Sequence, residues 1–173
     1  ESMTNAPYLS PAIRAGKRLG HTMFKDHMFL DGLEDAYDKG VLMGRFAEDC
    51  AQHYQFSRQQ QDRYAITSLE RAQKAQQNGD FTAEIVPIDI TVKKQNMSFA
   101  QDEQPLSAQP EKIPYLKPAF MPEGSVTAAN SSSISDGAAA LILANETAME
   151  RYNLPIRAKI VGHAGFAHAP GWF

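Results

Sequence analysis

Gly124-Ser-Val-Thr-Ala-Ala-Asn-Ser-Ser-Ser-Ile-Ser-Asp-Gly-Ala-Ala-Ala-Leu-Ile-Leu-Ala144 carries the strongest architectural signal in the sequence. From Thr127 to Ser133 every residue is small. The run then passes through an Asp136-Gly137 turn into a continuous apolar segment. Small residues in series let a backbone come close to a ligand or to another backbone, and glycine adds dihedrals that other residues avoid. The segment therefore reads either as close packing where core elements abut or as the wall of a ligand site, followed by a buried element at 138–144.

Outward from this segment, the patterning is that of a mixed α/β protein. Met43, Phe46, Ala47, Cys50, Ala51 and Tyr54 fall on one helical face, so a helix is expected with Cys50 in its apolar stripe. Ser57-Arg58-Gln59-Gln60 has the form of a capping box and opens a second helix through Ala65, Leu69 and Ala72. Asn78-Gly79 should end it, and its many Gln, Arg, Lys and Glu positions read as a water-facing side. A strand is expected over Val86 to Val92, with Pro87 arguing for a sheet edge. Residues 93–109 read as irregular, and Pro110 to Tyr115 as a short helix. Asn145 caps a helix through Tyr152, and Ile156 to Phe166 alternates as a final strand.

Towards the start, residues 1–30 are punctuated too often by Pro and Gly for a long helix. A hairpin-like excursion carrying Arg14, Lys17 and Arg18 fits better, followed by a short helical pattern over Asp31 to Asp38. The three cations fit a solvated face or a contact with an acidic partner or a phosphate.

The bulk numbers exclude several classes. With 173 residues, 43% hydrophobic and 21% charged, the chain is ordinary globular material able to bury a core. A net charge of −3 and the lack of a basic stripe give no case for nucleic acid. No apolar run approaches the roughly 20 residues of a membrane span. The single cysteine, Cys50, suits a reducing compartment, so a cytoplasmic location is expected. A chain that opens on Glu1 and closes on Pro170-Gly171-Trp172-Phe173 reads as a piece of a longer polypeptide.

No catalytic set emerges from spacing. The sequence has no Gly-x-Ser-x-Gly elbow, P-loop, Gly-x-Gly-x-x-Gly or His-Glu-x-x-His. His163 and His168 lie five apart on an expected strand, on opposite faces, so no metal site is expected. Ser131, Ser132 and Ser133 have no local base and read as turn formers. By spacing alone this is a soluble α/β domain able to bind a small ligand.

Ordered blocks add more. Glu1-Ser-Met-Thr-Asn-Ala-Pro7, Asp31-Gly-Leu33, Met43-Gly44 with Ala47-Glu48, and Ser57-Arg58 with Gln61-Asp62 come first. Glu84-Ile-Val-Pro87, Lys117-Pro-Ala-Phe120, Val126-Thr-Ala-Ala-Asn-Ser-Ser132 and Asp136-Gly-Ala-Ala139 follow. In this order they resemble the middle of a thiolase, over essentially the whole chain. The resemblance implies a segment of the thiolase fold in three parts. Residues 1–30 would end the N-terminal core half and carry an assembly excursion, 31–125 would be a helical loop domain that covers coenzyme A, and 126–173 would begin the core strands of the C-terminal half.

Thiolases exchange acyl groups between coenzyme A thioesters, by Claisen condensation or thiolysis, and serve fatty acid metabolism. In the family a cysteine takes the acyl group, a histidine activates it, a second cysteine moves the α-proton, and oxyanion holes stabilise the intermediates. The resemblance places the nucleophile motif upstream of Glu1 and the Asn-Glu-Ala-Phe, Gly-His-Pro and Cys-x-Gly motifs downstream of Phe173. No catalytic residue is therefore expected within the chain, and the isolated chain is expected to be inactive. Leu33, Met43, Phe120, Ala128, Ser132 and Ile134 match positions that line the coenzyme A channel. The thioester is expected as substrate, with no prosthetic group and no metal.

Residues 7–25 resemble the excursion through which many thiolases form tetramers, so a homo-oligomer is expected of the parent, an acetyl-CoA acetyltransferase or a 3-ketoacyl-CoA thiolase. Leu42 stands where many biosynthetic members carry histidine, and residues 104–109 hold no arginine for the nucleotide. The other reading of the chain is a free-standing, non-enzymatic module for coenzyme A binding or assembly. A hydrolase using one of the serines is a third. As part of a longer fold, the chain is expected to expose strand edges and apolar surface, and to self-associate or be partly disordered near both ends.

Overall fold

The computed structural model describes residues 2–11 and 13–172. Two compact units result, residues 41–133 and residues 1–40 with 134–173. All of the buried residues among those described lie in 41–133.

That unit is organised by two helices, α1 (Met43–His53) and α2 (Arg58–Asn78). The start of α2 is set by Ser57, whose side chain accepts the Gln60 N–H while the Gln60 side chain accepts the Ser57 N–H. Two donors that the helix itself leaves unpaired are thereby satisfied. Gly79 ends α2 in the left-handed conformation at φ 72°, where a side chain would be strained. Both ends agree with the sequence reading.

A hairpin follows, β3 (Ile88–Val92) against β4 (Gln95–Phe99), antiparallel with Val92 opposite Gln95. The first strand starts two residues later than expected, beyond Pro87. Its partner replaces part of the stretch expected to be irregular. The connection is Lys93-Lys94, both at positive φ (50° and 67°), a shape usually supplied by Asn or Gly and therefore silent in the sequence. Next come α3 (Glu103–Ser107), capped by Asp102, and a 3-10 turn at Pro110–Tyr115. Both α3 and the turn pack on α2.

The buried set here is small: Ala51, Ile113 and Val126 with Pro105, and the polar Glu48, Asp62 and Thr127. Polar groups thus hold this unit together alongside apolar ones, and each must be paired to be tolerated. Cys50 is half-buried on α1.

In the other unit, β1 (Tyr8–Leu9) pairs antiparallel with β2 (Lys25–Asp26), leaving residues 10–24 as the expected excursion. The Ser10 hydroxyl donates to the Met23 carbonyl at 3.2 Å and closes its base. A single π-helical turn, Phe29–Leu33, replaces the short helix expected over 31–38. The Asp136 carboxylate accepts the Ser2 hydroxyl (3.1 Å) and the Thr4 N–H (3.0 Å). Those bonds, the Thr4 N–H first, hold the Asp136 carboxyl below its ordinary value of 3.8. Asn145 accepts the Ala148 N–H and opens α4 (Glu146–Tyr152), as expected.

Two expectations are corrected. Residues 138–144 are exposed rather than buried, with Leu141 at 91% and Ile142 at 88%. Residues 156–166 form no strand. The reason is common to both: an apolar run becomes a strand only beside a partner that takes its N–H and C=O groups. No described strand pairs with either run. The expected apolar surface is present, Val161 (93%) and Phe166 (87%) included. No helix among the described residues is long and apolar enough to cross a membrane.

Candidate functional site

Beside α2 lies an open groove of about 750 Å³. Three stretches line it: Tyr64 to Ala72 of α2, residues 104–116, and Ala128 to Ser133. Its α2 side is formed by Ala65, Ser68, Leu69 and Ala72, which are small or apolar. Gln104, Gln109 and Lys112 add polar groups, and Lys112 is the only charged residue in the lining. Small side chains with hydroxyls and amides among them suit a thin, flexible ligand arm that carries both apolar and polar groups.

The small-residue segment reaches the groove because two carboxylates on the helices hold it. Glu48 of α1, 6% exposed, accepts the Ser125 N–H on both oxygens at 2.9 Å, the Val126 N–H at 2.8 Å and the Ser125 hydroxyl at 3.0 Å. The amide of Gln61 in turn donates to the Ser125 hydroxyl at 2.8 Å, so that hydroxyl accepts from α2 and donates to α1. Space at this junction is tight. A Cβ added to Gly124 would sit 2.2 Å from a Glu48 oxygen, which explains a residue without one.

Asp62 of α2, 5% exposed, is the second carboxylate. It pairs with Arg58 at 2.7 Å and accepts the Asn130 amide at 3.0 Å. Asn130 also closes the turn on itself: it donates to the Ser125 carbonyl and accepts the Thr127 N–H at 2.7 Å. Thr127 is fully buried, and its hydroxyl accepts the N–H groups of Ala129 and Asn130. Ser131 spends its hydroxyl on the Thr127 carbonyl. Its role is structural, which agrees with its reading as a turn former.

Of the residues expected at the coenzyme A channel, Ala128 and Ser132 line the groove. Met43 is the first residue of α1. Phe120 lies against α1, where a Cβ on Gly44 would come within 2.3 Å of three ring atoms. Neither Met43 nor Phe120 lines the groove. Leu33 ends the π-helical turn and Ile134 is 57% exposed, and both belong to the other unit. Sequence reasoning missed the parts played by Glu48, Arg58, Asp62 and Lys112. Glu48 and Asp62 look like ordinary surface charges on a helix, and their one signal was membership of the quoted blocks.

Small-residue segment, capped helices and groove define a class, and the chain belongs to the thiolase family. Residues 1–147 match the family profile "Thiolase, N-terminal domain". The chain is 46% identical to acetyl-CoA acetyltransferase of Saccharomyces cerevisiae, in an alignment covering 100% of this chain and 44% of the yeast protein. Among solved structures, human mitochondrial 3-ketoacyl-CoA thiolase superposes with a TM-score of 0.78 at 35% identity. That match covers 88% of this chain and 39% of the human one. Acetyl-CoA acetyltransferase of Bacillus anthracis gives a TM-score of 0.68 at 38% identity, covering 76% and 33%. The mixed α/β fold is thus that of a thiolase segment, and the chain spans less than half the length of these relatives.

Proposed function

We propose that this chain is the coenzyme A-binding segment of a thiolase that transfers acyl groups between coenzyme A thioesters. In the forward direction two acetyl-CoA molecules become acetoacetyl-CoA and free coenzyme A. In reverse, coenzyme A cleaves a 3-ketoacyl-CoA. The observation that carries this reading is the docking of residues 125–131 on α1 and α2, which leaves Ala128 and Ser132 at the groove. Leu33, Met43, Phe120 and Ile134 enter this proposal through the family resemblance alone, since none of them lines the groove. Small walls fit the pantetheine arm, and Lys112 offers a positive charge for a phosphate.

On this reading the segment holds the thioester, and the cysteines and histidine that react with it lie in other parts of the parent enzyme. The three-part division at residues 30 and 125, a cytoplasmic location and a dimer or tetramer built through residues 7–25 belong to the same proposal. The test is a pair of assays on the purified chain. Coenzyme A binds in calorimetry, and acetoacetyl-CoA is not thiolysed. Turnover that disappears in Cys50→Ser would overturn the division of labour. Loss of no heat signal on replacing Ser132 with a bulky residue would overturn the site.

A further inference from the structure

We infer that Arg58 is a positioning residue that ties two of the three groove-lining stretches together, a role that rests on the coenzyme A reading for its function. The guanidinium donates through Nε to Asp62 at 2.7 Å. Through one Nη it donates to the carbonyls of Ile113 (3.0 Å) and Leu116 (2.9 Å). Asp62 carries the connection onward, since its other oxygen accepts the Asn130 amide, and Asn130 holds both Ser125 and Thr127.

An unbroken series of bonds therefore runs from Ile113 and Leu116, through Arg58 and Asp62, to Asn130. Ile113, Leu116 and Asn130 all line the groove. Both charged members are largely withdrawn from water, with side-chain exposures of 25% for Arg58 and 7% for Asp62. α2 also holds residues 102 and 105, through Gln76 and Gln73, but those bonds stop at the backbone they meet. Arg58 alone among these joins one lining stretch to another.

Charge neutralisation of a buried carboxylate needs only a cation. Spanning a carboxylate and two carbonyls needs the planar fork of a guanidinium, which an ammonium lacks. The two roles separate in the comparison of Arg58→Lys with Arg58→Gln.

In the full chain, amide exchange is followed at 113–116 and at 127–131, with coenzyme A affinity measured by calorimetry. The expected result is that Arg58→Lys speeds exchange in both stretches and weakens coenzyme A about tenfold, close to the effect of Arg58→Gln. Exchange in the β3–β4 hairpin stays at the wild-type rate. Wild-type affinity and exchange in Arg58→Lys, with loss only in Arg58→Gln, would reduce Arg58 to a counter-ion and overturn the inference. So would faster exchange confined to 113–116. Should Arg58→Gln not fold, Arg58→Lys against wild type decides alone, with Asp62→Asn as the second variant. A wild-type chain that takes up no coenzyme A defeats the coenzyme A reading, while the exchange data still decide whether the stretches are coupled.

Discussion

Truncation of Glu48 to alanine should be among the most damaging single changes in the 41–133 unit. The carboxylate takes hydrogen bonds from three donors, the Ser125 N–H, the Ser125 hydroxyl and the Val126 N–H. A bond to a charged acceptor is worth about 1.5–3 kcal/mol. The three do not simply add, because Ser125 is half-buried and its donors can turn to water that enters the vacated space. Val126 is 5% exposed, and its N–H loses the Glu48 oxygen that accepts it. Allowing for that relief, Glu48→Ala should cost about 3–5 kcal/mol.

Glu48→Gln keeps one oxygen for the two N–H groups but turns an NH₂ towards a hydroxyl that already accepts from Gln61. It should cost about half as much, since charge-assisted bonds are roughly twice as strong as neutral ones. Urea unfolding followed by circular dichroism gives both values, and exchange of the Val126 amide localises the damage. A loss below about 1 kcal/mol for Glu48→Ala, or equal losses for the two variants, would refute the reasoning.

Three further outcomes are expected. Gly44→Ala gains helix propensity of about 1 kcal/mol, but its Cβ meets the Phe120 ring at 2.3 Å, so the ring must move. Net destabilisation is expected, and unchanged Phe120 ring resonances would contradict it. Ser57→Ala removes the capping box and should lower stability by about 1 kcal/mol, with faster exchange in the first turn of α2. An unchanged urea midpoint would count against that. Asp136, held below 3.8 by the Thr4 N–H, should titrate below an exposed reference carboxyl in NMR. Because the folded-state value is the lower one, its stabilising contribution is complete above 3.8 and fades as pH falls through the folded value. Thr4 amide protection should fade with it; a Thr4 amide indifferent to acid would show that the bond is not made.

Local chemistry was legible wherever the backbone itself needs a particular residue. Ser57 and Gln60 at the start of α2, Gly79 at its end and Asn145 before α4 were all readable, because unpaired helix-end groups admit few solutions. The Lys93-Lys94 turn was not, since it uses residues with no preference for positive φ. The apolar runs 138–144 and 156–166 were read as a buried element and a strand. Apolarity states what a segment would gain from a partner, and no described element provides one.

At the site, smallness marks the whole run 127–133, and the family resemblance singles out Ala128 and Ser132 within it. Glu48 and Asp62 did not stand out, because a charge on a polar helix face gives no sign that a backbone will dock on it. The same holds for Gln61, Gln73 and Gln76, which were assigned to water and instead donate across to neighbouring segments. Arg63, Glu70, Arg71, Lys74 and Gln77 face water as expected, while Arg58, Gln61, Asp62, Gln73 and Gln76 turn inward.

On the proposed reading, residues 128–133 form a wall of a coenzyme A site. Amide exchange of the chain with and without saturating coenzyme A tests it most directly. Slower exchange centred on residues 128–133 and extending to the groove side of α2 is the predicted result. Exchange that coenzyme A leaves unchanged, or slows only outside the groove-lining stretches, would contradict it.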